Sequence, residues 1–217
     1  VVQLKTGFGG GKTHTMLALY HMARSGAEII NDVPVLKELS QELGVALPKA
    51  NVAVLVGTKL SATAPFDDDP EIKSLGISLK TLWGHMAWQL GGWKAYQFVQ
   101  TADDKAVAPG EELRKVLEMA SPCIILIDEL VAYGRKLKSG IPGGTLESNL
   151  SFIQTLTELA KATPGVIVAA SIPESDMEIG GVQGANTSAL HCRLRRHKPA
   201  PRMRAVPVLL RADPRAA

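Results

Sequence analysis

The chain has few cysteines and no long apolar run. Its 217 residues include only Cys123 and Cys192, whose spacing fits neither a disulfide framework nor a metal site, so both are expected to be reduced thiols. No uninterrupted apolar stretch approaches the roughly 18 residues that a membrane-spanning helix requires, and no signal peptide precedes the first motif. We therefore expect a cytoplasmic protein that does not associate with membranes.

What the chain does have is enough apolar material for one large core. Hydrophobic residues make up 46% of the sequence, and no internal repeat is visible. A chain of this length with this composition is expected to form one domain rather than two.

A glycine-rich run near the start of the chain ends in Gly-Lys-Thr, directly after the short apolar segment 1–4. It reads Thr6-Gly7-Phe8-Gly9-Gly10-Gly11-Lys12-Thr13. Consecutive glycines allow positive φ angles, so that backbone N–H groups can turn inward around an anion. The lysine can then reach the β and γ oxygens of a nucleotide, while the threonine hydroxyl ligates Mg²⁺ at a helix N-terminus. The predicted nucleotide-binding residues are Gly7, Gly9, Gly10, Gly11, Lys12, Thr13 and His14, the last through its backbone N–H.

This loop departs from the usual spacing at one position. Phosphate-binding loops carry glycine where this chain has Thr6. A glycine-rich turn with an incidental lysine is the alternative interpretation, and a second motif is needed to decide between them.

The second motif is a continuous apolar run, Cys123 to Ile127, that ends in Asp128 and Glu129. Such a run is typical of a strand buried on both faces of a parallel sheet, and acids at its carboxyl end face the ligand crevice. Asp128 is predicted to hold Mg²⁺ indirectly, through the water shell of the ion, with Thr13 as the other metal-binding residue, and Glu129 to polarise the attacking water. A solvated turn is the alternative for the acids alone. The two motifs occurring in this order favour ATP with Mg²⁺ as cofactors.

Apolar periodicity predicts alternating strands and helices. We expect strands at 1–5, 52–56, 123–127 and 166–170, and helices at 12–25, from Pro34, from Leu79 to Gly91-Gly92, at 111–120 and at 146–162. The acid run 67–69 is expected to be a solvated turn and 134–144 a glycine-rich loop. This order predicts an α/β domain of three layers, with a parallel sheet covered by helices on both faces.

The charge of the chain is uneven. Residues 191–217 contain eight of the 24 Lys and Arg residues and a single acid, together with four prolines, whereas the rest of the chain is mildly acidic. A basic, disordered arm that binds nucleic acid is one interpretation. We favour the alternative that this tail is a truncated or frame-shifted end, which leaves residues 1–190 as an incomplete ATPase domain.

The order of the elements resembles the P-loop ATPases with an additional catalytic glutamate, which include the AAA+ class. In that class the fourth strand lies between the first and the third and presents a polar residue that senses the γ-phosphate. By position this residue would be Ser171. The alternative is an ordinary hydroxyl at the end of a strand.

Several short stretches of sequence make the resemblance specific to one family. They are Phe8 to Thr15, Val54 to Thr58, Thr81 to Gly84 with Gln89-Leu90, Ile127 to Tyr133, and Ala170 to Pro173. Together they are similar to the predicted AAA+-like ATPases of the domain of unknown function four-nine-nine, over about Val1 to Gly184. Members are often encoded beside DNA methyltransferases and helicases in phage-defence islands.

The resemblance implies a Mg-dependent ATPase that hydrolyses the γ-phosphate to drive an unknown process. Implied partners are DNA or defence-system proteins, and the full-length protein is expected to form homo-oligomers. Glu129, Lys12 and Ser171 would be the catalytic residues. The fifth strand and the arginine finger of AAA+ proteins would lie beyond the matched region. Without that cation on the transition state, we expect ATP hydrolysis to be slower than in a complete ATPase by a factor of roughly 10³ to 10⁵.

Two other classes of function remain open at this point. A P-loop kinase is disfavoured because such enzymes usually lack the Asp-Glu pair. A nucleotide-gated interaction module without catalysis is the second alternative. Arg135 could supply a cation to a neighbouring subunit, although a solvated basic loop with Lys136 and Lys138 is the expected structure there.

Overall fold

The computed structural model describes residues 1–5, 11–44, 46–137 and 142–172. The tail at 191–217, on which the charge asymmetry depends, lies outside the described residues. The family resemblance also extends beyond them, from 173 to 184.

Four parallel strands form one sheet. They are β1 (Val2–Lys5), β2 (Asn51–Val56), β3 (Cys123–Asp128) and β4 (Val166–Ile172), in the spatial order β1-β4-β3-β2. Every neighbouring pair is parallel. The predicted parallel sheet is confirmed, and the fourth strand lies between the first and the third, as expected.

Eight helices connect or follow the strands within the described residues. They are α1 (Lys12–Ser25), α2 (Glu28–Asp32), α3 (Pro34–Leu43), α4 (Pro70–Leu75), α5 (Leu82–Asp104), α6 (Glu111–Ala120), α7 (Leu130–Lys136) and α8 (Leu146–Ala162). The sequence did not predict α2, α4 or α7. The acid run is not simply a solvated turn, because the Asp69 carboxylate caps α4 by accepting from the Glu71 N–H at 2.8 Å.

The pleat of the strands divides their side chains between two faces. One face carries the main core, where Ala53, Leu55, Ile125, Ile127, Val168 and Ala170 pack with side chains of α5, α6 and α8. On the other face, Val52, Ile124, Leu126 and Ala169 pack against Leu19, Tyr20 and Ala23 of α1. Helices therefore flank both faces. Leu17 of α1 lies outside this contact and is 54% exposed.

Helix α5 reverses direction at its centre. A straight helix of 23 residues would be about 35 Å long. The Asp103 carboxylate near its end nevertheless accepts from the Thr81 N–H, one residue before its start, at 2.9 Å. The reversal occurs at Gly91 and Gly92, whose backbone leaves helical geometry, with φ of 58° at Gly92. The chain leaves the helix where the sequence predicted, and a second arm, 93–104, folds back against the first.

Asp103 joins the two arms. Its carboxylate also accepts from the Thr81 hydroxyl, from the Lys80 N–H at 3.2 Å and from the Tyr96 hydroxyl at 2.9 Å. Asp103 has no exposed surface, and a Cβ on Gly84 would overlap its carboxylate. Burial raises the pKa of Asp103, and the hydrogen bonds from its donors offset this only in part.

A side chain covers the free edge of β2. The Gln89 carboxamide accepts from the Val54 N–H at 2.7 Å and donates to the Val54 carbonyl at 3.1 Å. These are the bonds that a neighbouring strand would make, so Gln89 satisfies the exposed backbone at this edge.

Among the described helices, none combines the length and apolar character required to cross a membrane.

Candidate functional site

The acid at the end of β3 faces the N-terminus of α1. Ile124 and Leu126 point toward α1, and alternation of side chains places Asp128 on the same face, beyond the core. The Thr13 hydroxyl donates to Oδ2 of Asp128 at 3.1 Å, although 115 positions separate the two residues. The structure thus brings the predicted Mg²⁺ ligands into direct contact.

Helix α1 begins with the residues predicted to bind phosphate. Gly11 precedes the helix in the left-handed region, with φ of 76°, which only glycine adopts readily. Gly11 is the N-cap residue and has no side chain that could cap α1, and the first amides of an α-helix lack acceptors within the helix. Lys12, Thr13 and His14 lie in that turn. The other predicted loop residues, Gly7, Gly9 and Gly10, lie outside the described residues.

Ser171 contacts the acid pair from the neighbouring strand. It lies near the end of β4, only 6% exposed, and its hydroxyl donates to Oδ1 of Asp128. The same hydroxyl accepts from the Glu129 N–H at 3.3 Å. Ser171 therefore lies where the sequence predicted, and its hydrogen bonds fix the orientation of the Asp128 carboxylate.

Glu129 follows β3 in an unusual backbone conformation. Its φ of 52° and ψ of 34° are left-handed, and it immediately precedes α7. The exposed Glu129 side chain turns toward the end of β2, where Oε2 accepts from the Thr58 hydroxyl. A Cβ on Gly57 would overlap the Glu129 carbonyl, so only glycine fits there. No role was predicted for Thr58, although it lies in one of the short stretches that carry the family resemblance.

The segment after Glu129 is helical rather than a solvated loop. Arg135 and Lys136 form the last turn of α7, which corrects the loop predicted from Gly134. The Lys136 ammonium donates to the carbonyls of Gly57 at 3.2 Å, Thr58 at 3.0 Å and Leu60 at 3.4 Å. Lys138 lies outside the described residues.

The site offers oxygen donors suited to Mg²⁺. A threonine hydroxyl and a carboxylate are hard ligands, and Mg²⁺ usually takes its remaining ligands from phosphates and water. Within the described part of the chain, no three His, Cys, Asp or Glu side chains group closely enough to hold a metal by themselves. His85 is partly buried beside the ring of Phe66, and burial lowers its pKa to about 4.

The fold and this site define an α/β protein whose polar residues gather at the carboxyl edge of a parallel sheet. A family model, the DUF499 N-terminal domain, matches residues 1–184. The chain therefore belongs to the DUF499 family, and the resemblance read from the sequence is confirmed at that level. No solved structure matches the chain.

Proposed function

We propose that this protein binds ATP with Mg²⁺ and hydrolyses the γ-phosphate, as a P-loop ATPase with an additional catalytic glutamate. The observation that carries the proposal is the contact of Thr13 with Asp128 at 3.1 Å. A residue of the glycine-rich loop and the acid of a distant strand meet at the edge where parallel sheets bind ligands. The strand order, with β4 between β1 and β3, also supports this class.

Thr13 and Asp128 are the residues that would hold Mg²⁺. Their hydrogen bond at 3.1 Å supports this assignment, because it brings two oxygen groups of the kind that Mg²⁺ prefers to one place. When bound, Mg²⁺ would neutralise negative charge on the phosphate oxygens. Ser171 keeps the Asp128 carboxylate oriented through the bond to Oδ1.

The remaining roles follow from position. Lys12 and the first-turn amides of α1 bind the phosphate oxygens, because they combine positive charge with donors that have no acceptor in the helix. Glu129 accepts a proton from water as the water oxygen bonds to the γ-phosphorus. The bond between that phosphorus and the bridging oxygen breaks, which leaves ADP and inorganic phosphate. Thr58 fixes one carboxylate oxygen of Glu129, so the other is available to water.

Two substitutions separate binding from turnover. Lys12→Ala should abolish ATP binding measured by calorimetry, whereas Glu129→Gln should retain binding and lower the rate of phosphate release by roughly 10²- to 10⁴-fold. Glu118→Gln on the exposed side of α6 is the matched control and should change neither. Equal loss of binding in Lys12→Ala and Glu129→Gln would contradict the assigned roles.

The process that hydrolysis drives is proposed from the resemblance alone. It would be directed at DNA or at defence-system proteins in the cytoplasm, by a homo-oligomer of the full-length protein. Turnover measured with and without duplex DNA tests the first partner. Binding of ATP without turnover under every condition would favour the nucleotide-gated interaction module. Transfer of the γ-phosphate to a small acceptor would favour the kinase.

A further inference from the structure

We propose that Lys136 is a positioning residue, which orients Glu129 for catalysis by fixing the turn that follows β2. The proposal rests on the proposed ATPase function for its effect on turnover. The contacts that carry it do not depend on that function.

The turn after β2, residues 57–60, is held by a single ammonium group. Lys136 Nζ donates to three of its four carbonyls, at 3.0 to 3.4 Å. A lysine ammonium has three donors, so these bonds use all of them. Lys136 is otherwise an exposed side chain, and ordering such a side chain costs up to about 2 kcal/mol of rotamer entropy. The convergence on one short turn indicates a specific tether.

The same turn contacts the acid pair at three points. The Gly57 N–H donates to the Asp128 carbonyl at 2.8 Å. The Gly57 Cα packs so closely on the Glu129 carbonyl that no Cβ fits. Next to it, the Thr58 hydroxyl donates to Glu129 Oε2. Any shift of this turn therefore changes the position of the Glu129 carboxylate.

Helix α7 closes this arrangement. It starts directly after Glu129 and ends at Lys136, so one short helix connects the acid to the tether. Removing the ammonium would leave three carbonyls without their donor beside the Glu129 carboxylate. The turn would then relax, and Thr58 would lose its fixed distance to Glu129. Because displacement of a reacting group by about 1 Å can cost up to about 10²-fold in rate, a partial loss of order should be measurable.

The test compares Lys136→Met with Thr58→Val, alone and combined, in the 217-residue chain. We expect each single variant to lower kcat for ATP about tenfold, with KM and the Kd for ATP within about twofold of the wild type. The double variant should lose no more than either single variant, because both act through one contact. Lys136→Arg should recover part of the rate. Lys59→Met, which removes the same charge from the same turn, is the matched control and should keep the wild-type kcat.

Amide hydrogen exchange tests the tether without any turnover. Lys136→Met should speed exchange in residues 57–60 about tenfold, whereas Lys59→Met should not. Unchanged exchange overturns the proposal, even if the wild type proves to have no ATPase activity and the proposed function fails. Additive losses of kcat in the double variant, or a faster rate in Lys136→Met, overturn it as well. If Lys136→Met fails to fold, Lys136→Gln takes its place in both measurements.

Discussion

Asp103→Ala should destabilise the fold strongly, because its buried carboxylate accepts hydrogen bonds from donors on both sides of the helical hairpin. The substitution removes the acceptor of the buried Thr81 N–H and leaves the Tyr96 hydroxyl with only a long contact, 3.5 Å, to the Ser78 carbonyl. Each such donor costs about 1–3 kcal/mol, so the free energy of unfolding should fall by about 4 kcal/mol. For a chain of this size, that corresponds to a fall in Tm of about 8–16 °C.

The neighbouring residue provides a matched control. Asp104 pairs with the Lys80 ammonium at 2.7 Å, but its side chain is 51% exposed. Asp104→Ala should therefore cost no more than about 1 kcal/mol. Urea denaturation followed by tryptophan fluorescence is a suitable assay, since all three tryptophans, Trp83, Trp88 and Trp93, lie on α5. If the two alanine variants differ by less than about 1 kcal/mol, the hairpin does not depend on the buried carboxylate.

Three further predictions concern the core, the site and the edge of the sheet. Burial lowers the pKa of His85 to about 4, so the unfolded chain takes up a proton first as the pH falls below 6.5. The free energy of unfolding should therefore decline between pH 6.5 and 4, by up to about 3 kcal/mol. Urea midpoints of the wild type and of His85→Gln, measured across this pH range, test the decline. Gly57→Ala should lower stability by about 1–3 kcal/mol and slow ATP turnover, because the new methyl group displaces Glu129; calorimetry and phosphate release measure the two effects. Gln89→Ala should cause self-association that increases with concentration in light scattering, whereas Gln97→Ala should not.

Each of these predictions has a result that would contradict it. A wild type and a His85→Gln variant with parallel pH profiles would show that His85 does not titrate as the fold requires. Gly57→Ala with wild-type turnover would mean that the site tolerates a shift of the β2 turn. A monomeric Gln89→Ala at high concentration would show that the edge of β2 is protected by something other than the carboxamide.

Much of the fold could be predicted because local signals agreed with one another. Pro34 and Gly44 bound α3, Gly26 ends α1, and apolar side chains repeat at helical spacing in α6 and α8. The pairing of Thr13 with Asp128 was also predictable. This pairing follows from the rule that parallel strands collect their ligand-binding residues at one edge of the sheet.

The second arm of α5 was missed because its inward face is not purely apolar. Tyr96 and Val99 lie at helical spacing and are buried, but the next buried position on this face is Asp103. A search for apolar residues at helical spacing does not recognise an aspartate as part of a buried face. The carboxylate is tolerated there because several donors meet it. Tyr96 is on the same arm, but Lys80 and Thr81 lie 23 and 22 positions away in sequence. No local window contains that information.

Thr58 and Lys136 were missed for a different reason. Their contacts depend on the left-handed backbone of Glu129, which directs its side chain toward β2, and on a helix of only seven residues. A non-glycine residue adopts this backbone rarely, and nothing in the sequence marks Glu129 as an exception. Contacts of this kind, which surround a predicted acidic residue, can be found only from the three-dimensional structure.

The position of β4 has a consequence for the nascent chain. Among the described strands, β1 comes first along the chain and has β4 as its only neighbour, with Val2 opposite Ala169. Almost the whole described chain must be synthesised before β1 has a partner, and the closing of that long loop opposes early pairing. Because α1 follows β1, the contact of its Thr13 with Asp128 is expected to form only after translation has passed Ile172.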